Sequence, residues 1–110
     1  MIEDIFNDII SKFNEKAKTD EKLRSELAGI SKRVVIRLDD GRNFNFDLTD
    51  GRASELRKGS TDNPDIEIES DEKTIEALYK KDMRTMKALA LKKVRIKGSI
   101  EDLLRLRKFF

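Results

Sequence analysis

The chain has no histidine, cysteine or tryptophan, and it contains one proline and five glycines. Without histidine it lacks the side chain that most often acts as a general base or a metal ligand. Without cysteine it can form neither disulfides nor thiolate sites, which fits a reducing cytoplasm. The glycines never form the GxGxxG or GxxxxGK runs that bind phosphates. We therefore expect a non-catalytic protein with no cofactor and no metal.

Charged residues make up 42% of the 110 residues and hydrophobic residues 37%. No apolar run is long enough to span a membrane, and no segment has the character of a signal peptide. A chain of this length removes roughly two-thirds of its unfolded surface from water, which allows one core. We expect residues 1–110 to form a single domain in the cytoplasm.

The charge is divided unevenly along the chain. Residues 1–78 contain 13 basic and 19 acidic residues, a net charge of −6, whereas residues 79–110 contain 11 and 3, a net charge of +8. Such a basic end can favour an anionic membrane surface, an acidic ligand headgroup or a nucleic acid. Nucleic acid is disfavoured, because Tyr79 is the only aromatic residue near these basic residues outside the terminal pair, and bases therefore have few side chains on which to stack.

Two helices are predicted at the start of the chain. The second has Thr19-Asp20 as its cap and stops at Gly29, which can adopt the left-handed conformation that often follows a helix. The first carries an apolar stripe at helical spacing, formed by Ile2, Ile5, Phe6, Ile9, Ile10 and Phe13.

Strands follow the two helices. Residues 32–39 and 43–48 alternate apolar and polar side chains, and a weaker strand is predicted over residues 53–58. Asp-Gly pairs at 40–41 and 50–51 predict two-residue hairpins between consecutive antiparallel strands. Because the alternate side chains are polar, we expect one wet face of the sheet and helices covering the other. The pattern thus predicts an α+β fold with a mostly antiparallel sheet.

The last third of the chain predicts a strand, two helical segments, a basic strand and a final helix. Residues 65–69 alternate at period two, and Asp71 and Asp82 are expected to cap the two helices. Residues 93–97 return to strand alternation and end at Gly98. Ser99 then opens an apolar helix.

This order of elements, down to the basic strand that ends in Lys97-Gly98, resembles the sterol carrier protein type 2 family of intracellular lipid-binding domains. Two positions depart from the family pattern: Lys92 replaces a usual glycine, and Met83 stands where a proline often follows the aspartate. The resemblance implies five strands in the sheet and an internal hydrophobic pocket for an apolar ligand, which can be a fatty acyl, isoprenoid or sterol-like lipid. A transient contact with an anionic membrane surface is a second expected partner.

On this hypothesis the C-terminal helix acts as a movable cover. The terminal phenylalanines, Phe109 and Phe110, can close the mouth, enter a membrane interface beside the basic residues or cap the core. Taken singly, each apolar residue at element spacing is explained as well by core packing, and only the resemblance favours a cavity. The alternative is a protein-interaction or nucleic-acid-binding module that uses the basic C-terminal third. The oligomeric state stays open. The residues expected to line the pocket are Phe44, Phe46, Met83, Met86, Leu89, Val94, Ile96, Leu103, Leu104 and Phe109.

Overall fold

The computed structural model describes the backbone of residues 2–106 and the side chains of residues 2–104. The helices are α1 (Ile2–Thr19), α2 (Glu21–Leu27), α3 (Glu72–Tyr79), α4 (Thr85–Ala90) and α5 (Ile100–Leu106). The strands are β1 (Ser31–Leu38), β2 (Asn43–Thr49), β3 (Arg52–Ala53), β4 (Arg57–Lys58), β5 (Ile66–Ser70) and β6 (Arg95–Lys97). In this described part of the chain, every helix is too short or too polar to cross a bilayer.

The sheet confirms the predicted α+β class and differs from the prediction in the number, continuity and direction of its strands. Its order is β3-β2-β1-β5-β6, with β4 also paired to β2, so the described residues form six strands rather than five. The weak strand predicted over residues 53–58 is interrupted, because Ser54 turns its hydroxyl onto the backbone N–H of Asp47 at 2.9 Å. The sheet is mixed, since β5 lies parallel to β1 while the other pairings are antiparallel.

The two Asp-Gly turns differ in length. Asp50 and Gly51 both have positive φ values, 49° and 78°, and Thr49 lies opposite Arg52, which is the predicted two-residue hairpin. At the other turn only Gly41 has a positive φ, 96°. There the N–H of Leu38 bonds the carbonyl of Arg42, so the loop holds three residues and only its last one must be left-handed.

The hydrophobic core lies between the sheet and the helices. Alternate residues of β1, among them Val34 and Ile36, face this side together with Ile66 and Ile68 of β5. The opposite face carries ion pairs, such as Arg37 with Glu67 at 3.0 Å. The predicted polar face of the sheet is therefore present, although Val35 on that face is fully buried.

The N-terminal caps of α2 and α3 agree with the prediction, and that of α4 does not. Asp20 and Asp71 cap α2 and α3 as predicted, because each side chain accepts a backbone N–H of the first turn. The prediction that Asp82 caps α4 is wrong: Arg84 occupies the cap position without a side-chain bond. Asp82 belongs instead to the end of α3, where its N–H bonds the carbonyl of Ala77 at 2.8 Å.

Both α3 and α4 end with a left-handed lysine. Lys81 has φ 63° and Lys92 has φ 58°. The N–H of Lys81 bonds the carbonyl of Leu78, and the N–H of Lys92 bonds that of Leu89. These are Schellman motifs, in which glycine normally occupies the left-handed position because any other residue crowds its own backbone there.

α1 is joined to the edge of the sheet by Asn14. Its side-chain oxygen accepts the N–H of Ala53 at 2.8 Å, and its side-chain nitrogen donates to the carbonyl of Ala53 at 2.9 Å. Ala53 is 2% exposed, so both of its backbone groups depend on Asn14 for partners.

Replacing Asn14 with alanine is expected to lower the free energy of unfolding by about 2 kcal/mol, because two buried backbone groups lose their partners. Asn7 provides the control, since it lies exposed on the same helix. The Asn7→Ala change is expected to stay within about 0.5 kcal/mol of the parent protein. Urea denaturation measures both, and equal effects of the two substitutions would contradict the role of Asn14.

Candidate functional site

A cavity of about 710 Å³ lies between the sheet and the helices that cover it. Its floor is made by Ile36 of β1, Phe46 of β2 and Ile68 of β5. Ile36 and Ile68 are register partners on adjacent strands, so they form one continuous apolar surface. The volume falls within the range of about 300–1,000 Å³ that is usual for small-molecule sites.

The walls come from α1, from α3 and from the turn between α3 and α4. α1 contributes because its apolar stripe is wide, with two adjacent apolar residues on successive turns. Only part of this stripe packs directly against the core, and Ile9 is half-buried. The wall residues with apolar side chains are Phe6, Ile9, Ile10, Phe13, Ile75, Leu78 and Met83.

The mouth of the cavity is marked by its exposed lining residues. Four of them are cations, Lys12, Lys16, Lys81 and Arg84. Among the described side chains no carboxylate lines the cavity, and Lys16, Lys81 and Arg84 form no ion pair. The cavity is therefore apolar inside and positively charged at its opening.

Tyr79 closes one side of the mouth by linking α3 to α1. Its hydroxyl donates a hydrogen bond to the carboxylate of Asp8. Lys12 pairs with the same carboxylate at 2.9 Å and lies 5.4 Å from the centre of the Tyr79 ring. Lys12 is thus the cation of the mouth whose charge is balanced.

The contact among Tyr79, Asp8 and Lys12 shifts the pKa values of all three groups. The hydrogen bond from Tyr79, followed by the pairing with Lys12, holds the pKa of Asp8 below its ordinary value of 3.8. The same hydrogen bond to Asp8 raises the pKa of Tyr79 above its ordinary value of 10.0. The pKa of Lys12 is also raised, first by its hydrogen bond to Asp8. All three groups therefore keep their partners across the neutral range.

The structure brings two of the expected pocket residues, Phe46 and Met83, to the cavity. Phe44 packs instead against Phe6, with ring centres 5.5 Å apart. Val94 is buried in the core, and Leu89 and Ile96 pack against it. Met86 and Leu104 are 76% and 52% exposed. Leu103 is half-buried, and Phe109 lies outside the described residues.

Sequence reasoning missed the contributions of α1 and α3. The α1 stripe was visible, but nothing in its spacing separates residues that face a cavity from residues that fill a core. The expected cover also differs in its described part, because the side chains of α5 through Leu104 do not line the cavity. Asp102 instead pairs with Lys32 at 3.2 Å and ties α5 to the start of β1.

Comparisons with known proteins agree with this architecture. The model of the SCP-2 sterol transfer family matches residues 10–110. Palmitated sterol carrier protein 2 like 2 from Aedes aegypti superposes with a TM-score of 0.64 at 15% identity, over 89% of this chain and 86% of that one. Sterol carrier protein 2 from Yarrowia lipolytica gives 0.57 at 16% identity, over 98% and 86%. At sequence identities this low, structural similarity is evidence for a shared fold alone.

A larger enzyme contains a similar unit. The stereoselective inverting sec-alkylsulfatase from Pseudomonas sp. superposes with a TM-score of 0.60 at 16% identity over 78% of this chain. This chain spans 13% of the length of that enzyme. A search of curated proteins returns no match.

Replacing Tyr79 with phenylalanine is expected to move the pKa of Asp8 back toward 3.8, because the largest cause of its lowering is removed. Since that pKa is lowered in the folded state, the contact stabilises the protein above pH 3.8 and is lost as the pH falls through the folded value. The difference in melting temperature between the two proteins should therefore shrink on acidification.

Carboxyl NMR titration of Asp8 measures the pKa directly. Lys12→Met removes the other contacts that lower this pKa, a hydrogen bond and a coulombic attraction, and is also expected to move it toward 3.8. An Asp8 pKa that is the same with and without the Tyr79 hydroxyl would show that the contact is absent in solution.

Proposed function

Because the chain belongs to the SCP-2 sterol transfer family, we propose that it is a non-catalytic carrier that holds one lipid chain in the cavity beneath α1. Family membership assigns it to lipid binding or transfer, and the ligand and the absence of catalysis are the proposed part. The observation that carries the proposal is the cavity of about 710 Å³, apolar inside and cationic only at its mouth. We propose that residues 1–110 act as one such unit in the cytoplasm.

The energetics support a long apolar chain as the ligand. Each buried methylene contributes about 0.8 kcal/mol, so a segment of about ten methylenes gains about 8 kcal/mol before ordering costs. Met83 adds a flexible and polarisable side chain to the wall, which suits chains of varying shape.

The composition of the lining supports a carrier rather than an enzyme. Its titratable groups are three lysines, one arginine and the hydroxyl of Tyr79. Among the described residues no group of three potential ligands is placed to hold a metal ion. The similar unit in the sulfatase accounts for 13% of that enzyme, whose activity is not transferred to this chain.

The positive charge at the mouth of the cavity favours a ligand with an anionic headgroup. Lys16, Lys81 and Arg84 present positive charge there without a carboxylate partner among the described residues. A carboxylate or phosphate at the mouth would pair with them, whereas the hydroxyl of a sterol or an isoprenoid alcohol would leave them unpaired. Of the three lipid classes considered, a fatty acyl ligand with a free acidic head fits best. The neighbour from Aedes aegypti is described as palmitated.

Lys81 adds a second argument for the headgroup. Its left-handed backbone, φ 63°, costs about 1 kcal/mol relative to glycine. A lysine at a position that favours glycine is a local conflict of the kind that marks functional sites. Pairing of the Lys81 ammonium group with an acidic ligand is the role proposed here for it.

Filling the cavity tests the carrier function. Met83→Trp adds volume to the cavity wall and is expected to weaken uptake of a fluorescent fatty acid at least about tenfold, while the fold remains. Met86→Trp is the matched control, because the same substitution there points to solvent at a side chain that is 76% exposed. Fluorescence titration compares the two, and equal uptake by both variants would count against the cavity as the binding site.

Neutralising the mouth tests the headgroup. Lys81→Gln combined with Arg84→Gln is expected to weaken palmitate binding about tenfold, because partly exposed ion pairs each contribute up to about 1 kcal/mol. Binding of hexadecanol, which has the same chain length and no charge, should change less than about twofold. Lys80→Gln with Lys87→Gln is the control, since neither residue lines the cavity. A parallel loss for palmitate and hexadecanol would argue against recognition of the acidic head.

A further inference from the structure

Residues 80–93, called here the basic segment, run from the end of α3 through α4 to the turn before β6. The segment has one acidic residue, Asp82. It has six basic residues, all exposed, namely Lys80, Lys81, Arg84, Lys87, Lys92 and Lys93. None of these six forms an ion pair within the described part of the chain. The segment therefore presents a net charge of +5 to solvent.

The two other basic residues of this third whose side chains the structure describes, Arg95 and Lys97, are both paired. Arg95 pairs with Asp39 at 3.0 Å, and Lys97 pairs with Glu69 at 3.0 Å. The pairing with Lys97, followed by that with Arg95, lowers the pKa of Glu69. Among the side chains that the structure describes in this third, the unbalanced positive charge therefore lies on the basic segment and not on the sheet.

The same segment exposes large apolar side chains. Met86 is 76% exposed and Leu91 is 55% exposed. Met86 lies on the outer side of α4 and Leu91 follows the last residue of the helix, whereas Ala88, which is fully buried, and Leu89 lie on the inner side. Exposed apolar residues among lysines are typical of surfaces that bind the lipid–water interface.

The basic segment also borders the mouth of the cavity. Lys81, Met83, Arg84 and Thr85 line the cavity, and Met86 and Lys87 follow on the next half-turn of α4. A bilayer that contacts Met86 and Lys87 would therefore lie beside the opening.

We propose that the basic segment is the surface by which this protein docks on an anionic lipid bilayer, with the mouth of the cavity beside the membrane. Docking is argued from charge and exposure alone, whereas passage of a lipid through the mouth rests on the proposed carrier function. The segment contains no aromatic residue. Single-stranded nucleic acid, the other polyanion of suitable charge, would find no base-stacking side chain within it.

Sedimentation with vesicles tests the docking surface. The parent protein is expected to bind vesicles that contain phosphatidylglycerol and not to bind vesicles of phosphatidylcholine alone. Binding should fall with added salt, because the screening length shortens from about 10 Å at 0.1 M to about 3 Å at 1 M.

Lys87→Gln combined with Lys92→Gly is the main variant. Each basic residue near an anionic bilayer strengthens binding about fivefold, so loss of the pair is expected to weaken binding about twenty-fivefold. Glycine at position 92 removes the backbone strain of a left-handed lysine, so the melting temperature of this variant should not fall. Lys22→Gln with Lys58→Gln makes the same change in net charge at exposed positions on α2 and β4, and is expected to bind within about twofold of the parent.

Met86→Ser combined with Leu91→Ser tests the apolar part and should weaken binding several-fold at unchanged charge. Binding losses that are equal in the main variant and its charge control would overturn the proposal. So would a parent protein that ignores anionic vesicles at low salt, or one that prefers a single-stranded oligonucleotide.

Uptake of a fluorescent fatty acid in solution, without vesicles, separates this proposal from the carrier function. None of the residues substituted on the basic segment lines the cavity, so uptake should be unchanged in both variants. If the parent protein takes up no probe and still binds anionic vesicles, the carrier function fails and the docking surface stands.

Discussion

The cavity depends on how α1 is held above the sheet. Asn14 fastens the helix to the backbone of Ala53, and Asp8 fastens it to Tyr79 on α3. Hydrophobic burial alone would draw the apolar stripe of α1 down onto the floor residues, since an empty apolar space forfeits packing. The polar contacts of Asn14 and Asp8 act together with the buried side chains of α1 to hold the helix, and the space beneath it is about 710 Å³.

The distribution of charge follows from the same architecture. On the open face of the sheet, basic residues meet acidic partners, as Arg95 meets Asp39 and Arg37 meets Glu67. α4 lies outside the sheet, and among the described residues Lys87 of this helix has no carboxylate partner. Among the described residues of the last third, the unpaired positive charge therefore lies on the basic segment, beside the mouth of the cavity.

Periodicity and turn chemistry predicted most of the fold, because they act over a few residues. Asp71 caps α3, and Asp50-Gly51 forms a two-residue turn, as expected. The parallel pairing of β5 with β1 depends on contacts between distant residues, which no local pattern encodes. The candidate site was less predictable. Phe44 and Phe46 share one face of β2, yet only Phe46 lines the cavity, because Phe44 meets the ring of Phe6.

The left-handed lysines connect stability with binding. Lys81 and Lys92 hold positions where glycine would lower the backbone energy, and each adds charge to a segment that is already positive. The backbone cost is the same whether or not an anion is bound, but the charge repulsion is relieved when one binds. A ligand that interacts with the folded state alone raises its stability in proportion to occupancy. The same two residues therefore make the free protein less stable than it could be and make an anionic partner, at the mouth or on the basic segment, more stabilising.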